Sequence, residues 1–86
     1  MKALKQLKRL SVICTGLEWK PMGIIDMKEY ILDKLQEDVC RSTIEKDVSF
    51  LKMEMDAPIQ ANRSIQKYSF TEKWNFKEEF MKYIEF

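Results

Sequence analysis

The chain has 86 residues, one domain's worth, and its 45% hydrophobic content with five Phe, two Trp and three Tyr predicts a compact core that needs no disulfide. Fifteen Lys and Arg stand against fourteen Asp and Glu, so total charge selects neither nucleic acid nor a membrane surface, and the distribution along the chain has to carry that argument. With no histidine, two cysteines in no CxxC spacing and two glycines seven apart, the sequence lacks the usual zinc ligand sets, a base for a Ser or Cys nucleophile and a nucleotide-holding loop; it predicts no metal, no cofactor and no enzyme.

No apolar run approaches the ~20 residues that span a bilayer, and the opening MKALKQLKRL is charged throughout, so neither a membrane helix nor a signal peptide is expected. The expected location is the cytoplasm, with Cys14 and Cys40 reduced. Residues 1–20 hold Lys2, Lys5, Lys8, Arg9 and Lys20 against Glu18 alone, and residues 57–71 hold Arg63 and Lys67 with no acid.

In chain order, Ala3, Leu7, Leu10, Cys14 and Leu17 recur at spacings of 4, 3, 4 and 3, which predicts a first helix over about residues 2–17. Lys5, Lys8 and Arg9 then face solvent, and Cys14 fills core. Residues 15–25 hold Gly16, Pro21 and Gly23 and read as a connection. Asp26 with Glu29 reads as a capping box, opening a second helix over about 26–37 with Met27, Tyr30, Ile31 and Leu35 buried.

Ile44, Val48 and Leu51 form one apolar seam of a third helix over about 40–53, whose outer face is Ser42, Lys46, Ser49 and Met53, flanked by Thr43 and Phe50. Two such helices joined by a short turn have helix-turn-helix geometry, in which the second enters the major groove of DNA. Pro58 ends the helical run, residues 57–61 alternate apolar and polar, and Asn62-Arg63-Ser64 makes a polar tip. Tyr68 and Phe70 then share one face of a returning strand, so a hairpin wing is expected over 59–70. Phe76, Phe80 and Tyr83 or Ile84 predict a fourth helix capped by Asn75, with an apolar side destined for the core, a second copy or another domain. The fold class expected is mostly helical α+β: a three-helix bundle, a hairpin wing and a short C-terminal helix.

The run Val39-Cys40-Arg41-Ser42-Thr43-Ile44-Glu45-Lys46-Asp47-Val48-Ser49-Phe50-Leu51 resembles the recognition-helix signature of DeoR-like winged-helix regulators, especially those carrying a C-terminal WYL ligand-sensing domain. Val39, Thr43, Ile44, Asp47 and Val48 match the family pattern, Lys46 keeps the charge of its Arg, and the likeness continues through Ala57-Pro58-Ile59 to Lys67-Tyr68-Ser69-Phe70. The resemblance implies a winged-helix DNA-binding head over residues 1–71, a connector beginning at 72–86, a longer native chain and a homodimer on paired half-sites. Two departures stand out. Cys40 replaces the helix-capping Ser, so either it caps weakly or the helix starts at Ser42; Lys67 replaces the wing glycine.

On this reading Arg41, Arg63 and Lys67 meet phosphates, Ser42 and Thr43 add hydroxyl and backbone contacts at the helix start, and Lys46 and Ser49 face base edges. The bland reading makes each of these a solvated surface or turn residue. Asp47 reads as a structural partner of Arg41 or Lys46, and Trp19 and Trp74 as core or rim residues rather than base-stacking platforms. The rival function is a winged-helix module that docks protein on the same face, favoured by near-neutral charge and by Phe50 and Met53 beside it.

Overall fold

In the computed structural model, which describes residues 2–84, helix α1 covers Lys2–Trp19, α2 Ile24–Leu35 and α3 Arg41–Met53, followed by strands β1 (Ile59–Asn62) and β2 (Lys67–Phe70) and helix α4 (Phe76–Ile84). This is the order of a winged helix-turn-helix: three helices, a hairpin wing and a short closing helix. The core is drawn from all three leading helices, with Leu10, Ile13, Cys14, Met27, Ile31, Ile44 and Leu51 fully buried. Burying one aliphatic side chain of that kind contributes about 1.5–3 kcal/mol, so this small cluster supplies much of the drive to fold.

Of the expected stripe, helix α1 buries Leu10, Cys14 and Leu17 and half-buries Leu7; outside the stripe it buries Gly16 and Ile13. The neighbour of Ile13 one turn back is Arg9, which therefore sits at the edge of the buried side rather than opposite it. The predicted solvent-facing role of Arg9 is corrected accordingly: its guanidinium crosses to α3, with Nε 2.7 Å from Asp47 Oδ2, and Nη1 3.3 Å from Glu37 Oε1. Lys5 and Lys8 are exposed as expected. The side chains of Ala3, Tyr83 and Ile84, named in the predicted stripes, lie outside the described residues.

Helix α2 begins two residues before the predicted capping box. Gly23 is its N-cap, and Asp26, at the third helical position, accepts the Gly23 N–H through Oδ2 at 2.9 Å; Glu29 takes no part in the cap. At the other end Gln36 adopts a left-handed conformation (φ 55°), and its N–H closes on the Leu32 carbonyl at 2.9 Å, stopping the helix at Leu35.

The wing is tied to the bundle by a pairing that the sequence does not announce. Met22, in the α1–α2 connection, exchanges two hydrogen bonds with Tyr68: Met22 N–H to the Tyr68 carbonyl at 2.9 Å and Tyr68 N–H to the Met22 carbonyl at 2.8 Å. β2 thus lies between Met22 and β1, with Ile59 opposite Phe70 and Asn62 opposite Lys67 in the antiparallel ladder. Asn62 belongs to the strand; its Oδ1 accepts the Ser64 N–H at 3.0 Å, and the turn extends to Gln66. Gln66 (φ 53°), not Lys67, takes the left-handed conformation, which leaves Lys67 in extended backbone. Of the alternating apolar residues at 57–61, Ala57 and Ile59 are buried and Ala61 is exposed.

Gly23 lies where the wing approaches the bundle closely, since a Cβ there would lie 2.8 Å from the Gln66 carbonyl oxygen. A backbone atom has no rotamer by which to yield. Gly23→Ala is expected to destabilise the domain by about 1–3 kcal/mol and to move the amide resonances of 66–68, as read by urea unfolding and NMR. A neutral substitution would show the wing free to retreat.

Helix α4 is capped by Asn75, whose Oδ1 accepts the Glu78 N–H at 3.0 Å. Phe76 and Phe80 answer where its apolar side goes. They stack on each other at 5.7 Å between ring centres and continue a line of rings through Trp74 to Phe70, closing over the core along α1. Trp74 is therefore the core or rim residue expected. Trp19 is neither: two residues beyond Leu17, it projects from the far side of α1 and is 75% exposed.

Candidate nucleic-acid interface

The start of α3 settles the choice between the two sequence registers. Cys40 is the N-cap, in extended backbone (φ −84°, ψ 162°), and Arg41 is the first helical residue. A thiol is a poor acceptor for free amides, and here it engages hydroxyls instead: Cys40 Sγ lies 3.1 Å from Ser42 Oγ and 3.2 Å from Thr43 Oγ1. Those hydroxyls, and then the Thr43 backbone N–H, favour the thiolate and bring the Cys40 pKa down to about 6. Cys14, in the core, is pushed up to about 12, first by desolvation. Iodoacetamide labelling resolved by mass spectrometry is expected to modify Cys40 alone in the folded protein, at a rate that climbs from pH 5 to a plateau above about pH 7. A rate still climbing at pH 9 would show an ordinary thiol.

Asp47 is 2% exposed, and its two carboxylate oxygens hold Arg9 through Nε and through Nη2 at 3.4 Å. Its structural role agrees with the sequence reading, while the partners proposed there, Arg41 and Lys46, are replaced by Arg9. The hydrogen bond to Asp47 also raises the Arg9 pKa above its already high value, against desolvation. A forked ion pair thus fixes the inner side of α3 to α1. The opposite side is free to face a ligand, with Ser42, Lys46, Ser49 and Met53 exposed and Thr43 and Phe50 half-buried on its flank, as their spacing predicted.

Three of the expected phosphate-binding residues come together. Arg41 at the head of α3, and Arg63 and Lys67 on the wing, line one groove of about 660 Å³ whose remaining wall is the N-terminal turn of α2, Gly23 to Asp26. Ile25 (72% exposed) and Ile65 (56% exposed) also border it. Ser42, Thr43, Lys46 and Ser49 lie outside this groove, farther round or along α3.

Two of the three cations carry an internal counter-charge. Arg41 Nε is 2.9 Å from Glu45 Oε1, and Lys67 Nζ is 3.8 Å from Asp26 Oδ2. Arg63 has no ion pair among the described residues. The Arg41–Glu45 pair was legible as an i,i+4 spacing, but nothing in the sequence links Asp26 to Lys67, 41 residues apart. Among the described residues no cluster of His, Cys, Asp and Glu could hold a metal, and no helix is long and apolar enough to cross a membrane. No family model, curated protein or solved structure matches this chain.

Proposed function

We propose that this domain binds double-stranded DNA, with α3 in the major groove and the wing on the backbone, as the N-terminal head of a cytosolic transcriptional regulator. The observation that carries the reading is the groove in which Arg41, Arg63 and Lys67 meet beside two helix N-termini, because cations gathered on one concave side are what neutralises a phosphate strand. Lys46 and Ser49 then face base edges, where Lys donates to guanine O6 or N7 and Ser accepts almost any base. In keeping with the resemblance to DeoR-like regulators, residues 72–86 begin a connector to a sensing domain, and the longer protein binds as a homodimer on paired half-sites.

Cys40 modifies this picture. Its thiolate occupies the hydroxyls of Ser42 and Thr43 and places a negative charge where a phosphate would sit. Cys40→Ser at pH 7.5 removes that charge and is expected to tighten duplex binding about two- to fivefold, the worth of one charge at a helix end. Unchanged affinity would take Ser42 and Thr43 out of the phosphate contacts.

The deciding experiment is titration of isotope-labelled protein with a mixed-sequence duplex at low salt, because nonspecific affinities of roughly 10⁻⁴–10⁻⁶ M move amide resonances without knowledge of the operator. Shifts confined to residues 40–49 and 62–67 and fading with salt support the reading, and a flat response there overturns it. A second reading, protein docking on the same face, is favoured by Met53, which is 76% exposed beside Lys46 and Ser49. It becomes the leading one on the flat outcome.

A further inference from the structure

An indole left in water forgoes one of the largest apolar burials available to a side chain, so an exposed tryptophan on a small domain calls for a use. Trp19, at the last turn of α1, is 75% exposed while the rings of Trp74, Phe76 and Phe80 are half-buried against the core. Beside it a shallow groove of about 250 Å³ runs to α2, bordered by Trp19, Lys20, Glu29, Tyr30 and Asp33. That volume lies below the ~300–1,000 Å³ of small-molecule pockets, so it suits one long side chain rather than a metabolite.

The chemistry of the walls selects the side chain. Asp26, Glu29 and Asp33 stand against Lys20 as the only cation on the lining. Glu29 has no ion pair among the described residues, and the Asp33 contact to Lys34 is a loose 3.9 Å between exposed groups. The final carbonyls of α1 add the negative end of a helix dipole. Both rings already attract ammonium groups of this chain: Lys20 Nζ lies 5.0 Å from the Trp19 ring centre and Lys34 Nζ 5.5 Å from that of Tyr30. Those lysines are exposed and flexible, and a planar guanidinium stacks on an indole better than an ammonium does.

We propose that the groove between the end of α1 and α2 docks an arginine side chain from a basic segment of a partner protein, stacked on Trp19 and paired with Glu29 and Asp33. The site involves none of the residues assigned to DNA, and the two grooves share only Asp26 as a border, so it stands whether or not the domain binds DNA.

The test uses the whole labelled chain and an acetylated Gly-Arg-Gly-Arg-Gly peptide, with the glutamate analogue as control, followed at the Trp19 indole N–H and the amides of 29–33. The basic peptide is expected to shift these signals saturably and the acidic one to leave them still. Trp19→Ala is expected to weaken binding about tenfold or more, and Glu29→Gln with Asp33→Asn to do likewise. These positions are at the surface, so unchanged melting temperatures confirm that the variants fold. Silence at Trp19 up to about 1 mM peptide, or equal affinity of Trp19→Ala and wild type, overturns the proposal by reducing it to general charge attraction. A concentration-dependent dimer abolished by Trp19→Ala overturns it in favour of a second copy as occupant.

Discussion

Asp47→Ala is expected to lower the free energy of unfolding by about 3 kcal/mol, the low end of the cost of breaking a buried ion pair by removing one partner. The low end applies because the Arg9 side chain keeps 13% of its surface in water and retains Glu37 at 3.3 Å. For a domain of this size the loss corresponds to a drop of about 12–24 °C in melting temperature, measured by calorimetry or far-UV circular dichroism. The double variant Arg9→Met with Asp47→Leu should recover most of it, because two apolar side chains of similar bulk leave no charge stranded. A single-variant loss below about 1 kcal/mol would show Arg9 swinging out to water when its partner goes.

The same pair bears on function through geometry. α3 rests on α1 and α2 by Ile44, Val48 and Leu51, and Asp47 lies in that packed surface. Apolar packing tolerates small rotations of a helix about its axis, whereas a forked carboxylate–guanidinium pair does not. Arg9 thereby sets which residues of α3 face outward, though it is itself far round the bundle from them.

The second large effect concerns affinity. Replacing Arg41, Arg63 and Lys67 together with Gln should weaken duplex binding on the order of a hundredfold at low salt and flatten the slope of log K against log salt by up to about 2.7, near 0.9 for each phosphate that is no longer neutralised. Arg63 should account for the largest single share, because Arg41 must leave Glu45 and Lys67 must leave Asp26 before either meets a phosphate. Fluorescence anisotropy across a salt series reads both quantities. All three residues are exposed, so stability should change by no more than about 0.5 kcal/mol. An unchanged slope would assign these cations to solvated surface and count directly against DNA as the ligand.

Much of this molecule follows from local pattern. The apolar seam of Ile44, Val48 and Leu51, the outward set of Ser42, Lys46, Ser49 and Met53, the Asn75 cap and the hairpin at 59–70 are all written as spacings, because helices and strands place side chains at fixed angles whatever surrounds them. Those angles suffice to fix the order of elements and the faces of α3. They do not fix partners across the chain. The Arg9–Asp47 tie spans 38 residues, the Met22–Tyr68 bridge and the Gly23–Gln66 approach join a connection to a wing, and Asp26 meets Lys67 only because both border the same groove. Pairings of that range depend on how the helices pack, and a long Arg or Lys can reach several acids within the freedom of its rotamers. The sequence by itself determined the elements and which side chains each presents; the tertiary structure decided where charge is held, where it is neutralised and where an indole is left in water.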